Sequence, residues 1–151
     1  MEEEKACPQS ANWLGFAKSC LAQTPPWLRW LITVFWMVVI FSFSAQPHSG
    51  EITAHYFGAF NMFMRKSGHV CEYAILFTLF RWSLAGHFGN FQKLSRKALY
   101  LSAAALLLTV TYAATDEWHQ SFVPGRSACV SDVFVDTLGG VGAWILHILA
   151  V

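Results

Sequence analysis

The sequence predicts an all-α membrane protein, a bundle of four transmembrane helices with an interfacial helix in the first external loop. Three observations point there. Hydrophobic residues make up 55% of the 151-residue chain and charged ones only 13%, whereas a soluble domain carries about 25% charged residues. Four segments reach the roughly 17–25 predominantly apolar residues that a bilayer span needs. Acids, a histidine and an arginine gather at the joint between the last two of these segments.

Residues 1–26 read as a cytoplasmic N-terminal tail, ahead of a membrane domain over residues 27–151. The tail opens with Glu2, Glu3 and Glu4, and no apolar run precedes Pro25-Pro26, so a signal peptide is not expected. Trp13, Leu14, Phe16 and Leu21 with Lys18 suit a short amphipathic helix on the membrane surface; a loosely ordered tail is an equal reading. The first span, Trp27–Ser44, follows Pro25-Pro26, a helix-start signal. Turn chemistry then runs through Gln46-Pro47-His48-Ser49-Gly50-Glu51. Ile52–Met64 is apolar and aromatic but too short to span, which suits a re-entrant or interfacial helix. The second span is expected over about Ser67 to Leu84, with Glu72 inside it. The third, Ala98–Thr115, has no charge. The fourth, about Ala128–Val151, is interrupted by Asp132, Asp136 and His147. Hydropathy alone supports the second and fourth less well. The loop Gly86–Lys97 is basic.

Charge at the span ends sets orientation. Lys5, Lys18, Arg29, Arg81, Lys93, Arg96 and Lys97 fall on one side, against Arg65, Lys66 and Arg126 on the other. This predicts a multi-pass protein of the cell membrane with both termini cytoplasmic. The net charge of +1 and the lack of a basic run argue against a nucleic-acid partner. The four cysteines, Cys7, Cys20, Cys71 and Cys129, show no CxxC or other metal spacing, and a disulfide framework is not expected. Cys71 and Cys129 read as small hydrophobes.

Ionisable groups at membrane depth are costly, by roughly 2.5–3.5 kcal/mol each at a helix centre on insertion scales, and are functional candidates by default. Lys66, His69 and Tyr73 share one face of the second span, with Glu72 beside them. Asp116, Glu117, His119 and Gln120 end the third span, and Arg126 follows in a Pro-Gly loop. Asp132 and Asp136 are i, i+4 neighbours in the fourth, where Gly139, Gly142 and Ala143 continue a small-residue face that lets another helix approach. Antiparallel packing gathers these groups around one outward-opening cavity. His69, Glu72, Asp116, Glu117, His119 and Asp132 are the catalytic candidates. Lys66, Tyr73, Gln120, Arg126 and Asp136 are the substrate-binding candidates.

In an enzyme, Arg126 with Lys66 would hold a phosphate or carboxylate. His119 or His69 would be the general base, oriented by Glu117 or Glu72, and Asp132 the general acid. Transfer or hydrolysis at a phosphoryl, acyl or glycosyl centre all remain open. No GxSxG motif is present, and Ser121, Ser127 and Ser131 lack diagnostic spacing. A plain structural reading has Lys66 and Arg126 snorkelling to the interface. In it His69 with Glu72, or Asp132 with Arg126, fixes helix register. A metal reading joins His69-x-x-Glu72 to Asp116, Glu117, His119 and Asp132 as nitrogen and oxygen donors. Bundle metal sites use the order Glu-x-x-His, so no metal ligand is assigned and the cofactor is left unspecified. His48, His55, His87 and His147 read as surface or packing residues.

RKSGHVCEYAILF followed by YAATDEWHQSFVPGRSACVSDVFVDTLGG resembles the VanZ-like family of small membrane proteins. FSFSAQ at Phe41–Gln46 resembles the Ser-Gln-containing end of that family's first span. The resemblance runs from about Phe41 to Gly142, and its specific part is the block from Asp116 to Arg126 with Asp132 following. One departure is Asp136, where the family more often has Asn. A named member of that family is associated with resistance to the glycopeptide teicoplanin. The resemblance implies a four-span cell-envelope protein linked to glycopeptide resistance and supplies no mechanism; the outward polar cavity suits action on a lipid-linked or cell-wall substrate. Its partners would be membrane lipids, a lipid-linked wall precursor or a glycopeptide. The alternative is a non-enzymatic binding protein that alters how the drug, which carries an acyl chain, anchors at the outer leaflet.

Overall fold

The computed structural model describes residues 23–88, 95–126 and 128–149. The expected amphipathic tail helix, residues 89–94 of the basic loop, Ser127 and the last two residues lie outside this range.

Helix α1 spans Pro26–Ser44, with Pro26 in its first turn, where a missing N–H costs nothing. Its buried face is Arg29, Thr33, Ile40 and Ser44, while Trp27, Leu31, Val34, Phe35 and Val38 are exposed. Polar residues inside and large apolar residues outside is the arrangement a lipid solvent favours. After a turn at His48 (φ 53°), the short helix α2 runs Ser49–Phe57 and buries no residue. A 3₁₀ turn, Gly58–Phe60, leads into α3, Asn61–Phe88. Helix α4 is Arg96–Gln120, capped by the Ser95 hydroxyl, which accepts the Ala98 N–H at 3.2 Å. Helix α5 is Val130–Leu149.

Helix α3 is the axis of the bundle and packs against α1, α4 and α5. It supplies most of the core, Tyr73, Leu76, Phe77 and Phe80, which meets Ile40 of α1 and Ala105 and Ala113 of α4. Its closest approach is to α5. A Cβ on Gly139 would lie 2.3 Å from the Val70 carbonyl oxygen, so only glycine fits there. Gly142, expected on the same face, has open space around it, and Ala143 packs against the core.

Among the described residues, three helices are long and apolar enough to cross a membrane: Pro26–Ser44, Arg96–Gln120 and Val130–Leu149. The expected second span lies inside α3. Its 28 residues, about 42 Å at 1.5 Å per residue, give ample length, but Lys66, His69, Glu72 and Arg81 keep it from being apolar enough. The four-span count is therefore not reached on apolarity. The segment expected as one interfacial helix, Ile52–Met64, is divided among α2, the 3₁₀ turn and the first turn of α3.

The bundle has two unlike ends. At one, the Arg29 guanidinium lies 5.2 Å from the Trp82 ring centre and donates to the Trp82 carbonyl at 3.1 Å. Arg81 donates there to the Ser102 hydroxyl at 3.0 Å. At the other, Arg65, Lys66 and Arg126 stand among acids.

Candidate functional site

The polar end holds two cavities, one on each side of the first turns of α3. The first, of about 220 Å³, is bordered by Lys66 and His69 of α3, Glu117 and Gln120 of α4, and Asp132 and Asp136 of α5. The second, of about 210 Å³, lies toward α1 and α2 and is bordered by Ser44, Ser49, Glu72 and Arg126. Arg65 and His69 belong to both walls.

Two ionic pairs mark the first cavity. His69 Nδ1 stands 3.5 Å from Asp136 Oδ1, with the Asp136 side chain only 2% exposed and that of His69 23% exposed. Neither Asp136 oxygen has a hydrogen-bond partner, so the pair is electrostatic contact at the limit of hydrogen-bond range. The imidazole lies parallel to the Tyr73 ring, at 9° with centroids 6.5 Å apart. At the mouth, Lys66 Nζ sits 3.4 Å from Asp132 Oδ1, both side chains part-exposed. Screening by solvent makes that second pair weak.

A chain of hydrogen bonds, buried at Asp116 and exposed at its Arg126 end, runs behind these pairs. The Tyr73 hydroxyl and the Gln120 amide both donate to Asp116 Oδ2, at 3.3 and 2.9 Å. Arg126 donates to Gln120 Oε1 at 3.2 Å and to the Phe43 carbonyl at 2.7 Å. The α4–α5 loop is thereby tied to the end of α1 and to the core of α4. Burial, then the nearby Arg65 charge, pull the Arg126 guanidinium below its usual range, against the opposing pull of Asp116, Glu117 and Glu72.

Glu117 accepts the Cys129 N–H at 3.0 Å, just ahead of α5. An acid at a helix start satisfies an orphan donor and complements the dipole. His119 lies against the Phe41 ring, 4.4 Å between centroids, with its buried Nδ1 lacking a partner, and it borders neither cavity.

The structure thus brings Lys66, His69, Glu117, Gln120, Asp132 and Asp136 to one cavity and Glu72 and Arg126 to its neighbour. Asp116 and Tyr73 are buried behind them, and His119 faces α1. The pairings differ from those the helical spacing suggests. His69 meets Asp136, not Glu72, because the α3–α5 contact at Gly139 carries Asp136 to it. Asp132 meets Lys66, not Arg126, which is held by Gln120 and Phe43.

Sequence reasoning left out Arg65, Ser44 and Ser49. Arg65 precedes Lys66 in the quoted RKSGHV block, and Ser44 lies in FSFSAQ, so both stood in motifs already singled out. Cys129, expected as a small hydrophobe, is instead exposed and borders the first cavity. The Ser131 hydroxyl donates to its sulfur at 3.1 Å and draws the thiol below its usual range. Among the described residues, no three His, Cys, Asp or Glu side chains are grouped as a metal ion would need. Glu117 is turned to the Cys129 N–H and His119 to Phe41, which breaks up the donor set the metal reading assembled.

The model of the VanZ/LLP1 family matches residues 29–151. The chain belongs to the VanZ/LLP1 family. No curated protein and no solved structure matches it. In this VanZ/LLP1 membrane protein the matched range includes both cavities and every residue that borders them. Chemically, the site offers one imidazole with a buried carboxylate at its Nδ1, part-exposed cations, and walls that are partly apolar at Met62 and Val135. That suits an amphiphile whose head group exchanges a proton.

Proposed function

We propose that this VanZ/LLP1 protein is a multi-pass protein of the cell membrane that acts on the anionic head of a lipid-linked or cell-wall substrate at the outer leaflet. The observation that carries the reading is the His69–Asp136 pair in the wall of a cavity with Lys66 at its mouth. Asp136 stands at Nδ1 and leaves Nε2 for the substrate, the arrangement by which a carboxylate orients a histidine as general base. Lys66 would release Asp132 to meet a phosphate or carboxylate, and Asp132 would then serve as the acid. The class of reaction is hydrolysis or group transfer assisted by that proton movement.

Helix α3 is the fourth span in this reading. Its ionisable groups face neighbouring helices, which is how charged residues are tolerated at depth. The exposed Tyr56 and Phe60 between α1 and α3, with Met62 and Phe63 in the first turn of α3, suit a segment resting in the interface. The excess of lysine and arginine at the far end and in the tail supports a topology with both termini in the cytoplasm. A changed outer leaflet or wall precursor is what a lipid-tailed glycopeptide meets, so the activity would contribute to teicoplanin resistance.

The resistance component is tested by drug susceptibility. A susceptible bacterium expressing the wild-type chain should tolerate several-fold more teicoplanin than the same host expressing His69→Ala at equal membrane levels. Equal susceptibility of the two strains and an empty control overturns it.

A further inference from the structure

We infer that the second cavity, between α1, α2 and α3, is a binding site for a tetrahedral phosphate group, held by Ser44, Ser49, Arg65 and Arg126. The inference rests on the proposed use of the cavities as a substrate site and names the group that the smaller chamber receives.

The decisive groups are hydroxyls with nothing to bond. Ser44 is 3% exposed, and its Oγ has no partner; the buried Ser49 Oγ has none either. Both border the cavity. Every other described serine has a hydrogen-bond partner. Helical Ser42 shows the usual solution, donating to the carbonyl four residues back at 2.7 Å. A buried hydroxyl without a partner costs about 1–3 kcal/mol, so it marks a place where a ligand completes the bonding.

The charges agree. Arg126 Nε is also buried without a partner, although its two terminal nitrogens are engaged. Arg65 borders the same space, and its guanidinium packs 3.0 Å from where a Gly50 side chain would begin, so the start of α2 sets its position. Two guanidiniums against the single carboxylate of Glu72 leave this lining positive. Donors arrive from α1, α2, α3 and the α4–α5 loop, whereas the lone pairs of a carboxylate lie in a single plane. Phosphate, with oxygens on four sides, takes all of them. His69, shared with the first cavity, would then stand beside the bound group.

Full-length protein in a maltoside detergent would be titrated calorimetrically with inorganic phosphate and, separately, with a short-chain phosphatidic acid. Saturable binding of either supports the site. Tighter binding of the phosphatidic acid identifies a lipid head group, and equal binding identifies a free phosphate. Ser44→Ala should weaken binding about tenfold, the equivalent of one hydrogen bond to a charged group. It should raise the melting temperature of the ligand-free protein or leave it no lower, because it removes a buried hydroxyl that has no partner in the resting state. Arg65→Gln should abolish binding, whereas Asp132→Asn should retain it. Binding that survives Ser44→Ala and Arg65→Gln but falls with Lys66→Gln places the phosphate in the first cavity and overturns the inference. So does the lack of any binding to either compound. If that lack is accompanied by protein-dependent change in cellular lipids, the proposed function stands and only the phosphate site falls.

Discussion

Asp136 is the residue on which the site turns. It is nearly fully buried, carries no hydrogen bond on either oxygen and faces a single imidazole. A buried ion pair is weak evidence for stability, since desolvation offsets the attraction. Asp136→Asn removes the buried charge and keeps an oxygen for the His69 Nδ1–H. It should therefore change folding stability by no more than about 1 kcal/mol, or raise it, when thermal unfolding is followed in detergent. Its loss of function should be mild, whereas Asp136→Leu, which leaves the imidazole unoriented, should lose most of it. A severe loss from Asn would mean that charge, not orientation, is what His69 needs. The sequence placed both residues among the candidates but not with each other, because helical spacing says which residues share a face and not which face of another helix they meet.

Between elements, the α3–α5 contact decides how close His69 and Asp136 come. That contact depends on Gly139, where a Cβ would fall 2.3 Å from the Val70 carbonyl, a backbone atom that cannot swing aside. Gly139→Ala should force the helices apart and lower stability by roughly 1–3 kcal/mol, the range for overpacked sites. Gly142→Ala, with nothing within 4 Å, should be tolerated. Comparing their melting temperatures tests the packing directly; equal effects would contradict it. The small-residue face was legible from sequence, yet which glycine carries the contact was not, because spacing leaves rotation about the helix axis unset. The same limit explains His119. It stands in the most specific sequence block, three residues after Asp116, and nevertheless turns toward Phe41.

At the scale of the whole molecule, hydropathy made α1 and α4 legible as spans and supported α5 less well, with Asp132 and Asp136 inside it, although α5 is apolar enough to cross. Hydropathy left α3 uncertain because the central helix is where the polar groups are concentrated. Orientation is testable with the native thiols. Cys129 is exposed beside the first cavity, and Cys7 and Cys20 belong to the tail. With single-cysteine variants in intact cells, a membrane-impermeant maleimide should label Cys129, and Cys7 and Cys20 only after lysis. The reverse pattern would invert the topology. The thiolate is the reactive form, and the Ser131 hydroxyl lowers the thiol below its ordinary range. Labelling near neutral pH should therefore be slower in Ser131→Ala, with the difference fading as pH rises above the ordinary thiol range.

The central claim is that the cavity around His69 acts chemically on a component of the envelope. The most direct measurement is a mass-spectrometric comparison of membrane lipids and wall precursors from a susceptible bacterium expressing the wild-type chain or His69→Ala at equal membrane levels. A species that changes only with the wild type is the expected result, and it would name the substrate class. Identical profiles would contradict turnover and leave a protein that binds without converting.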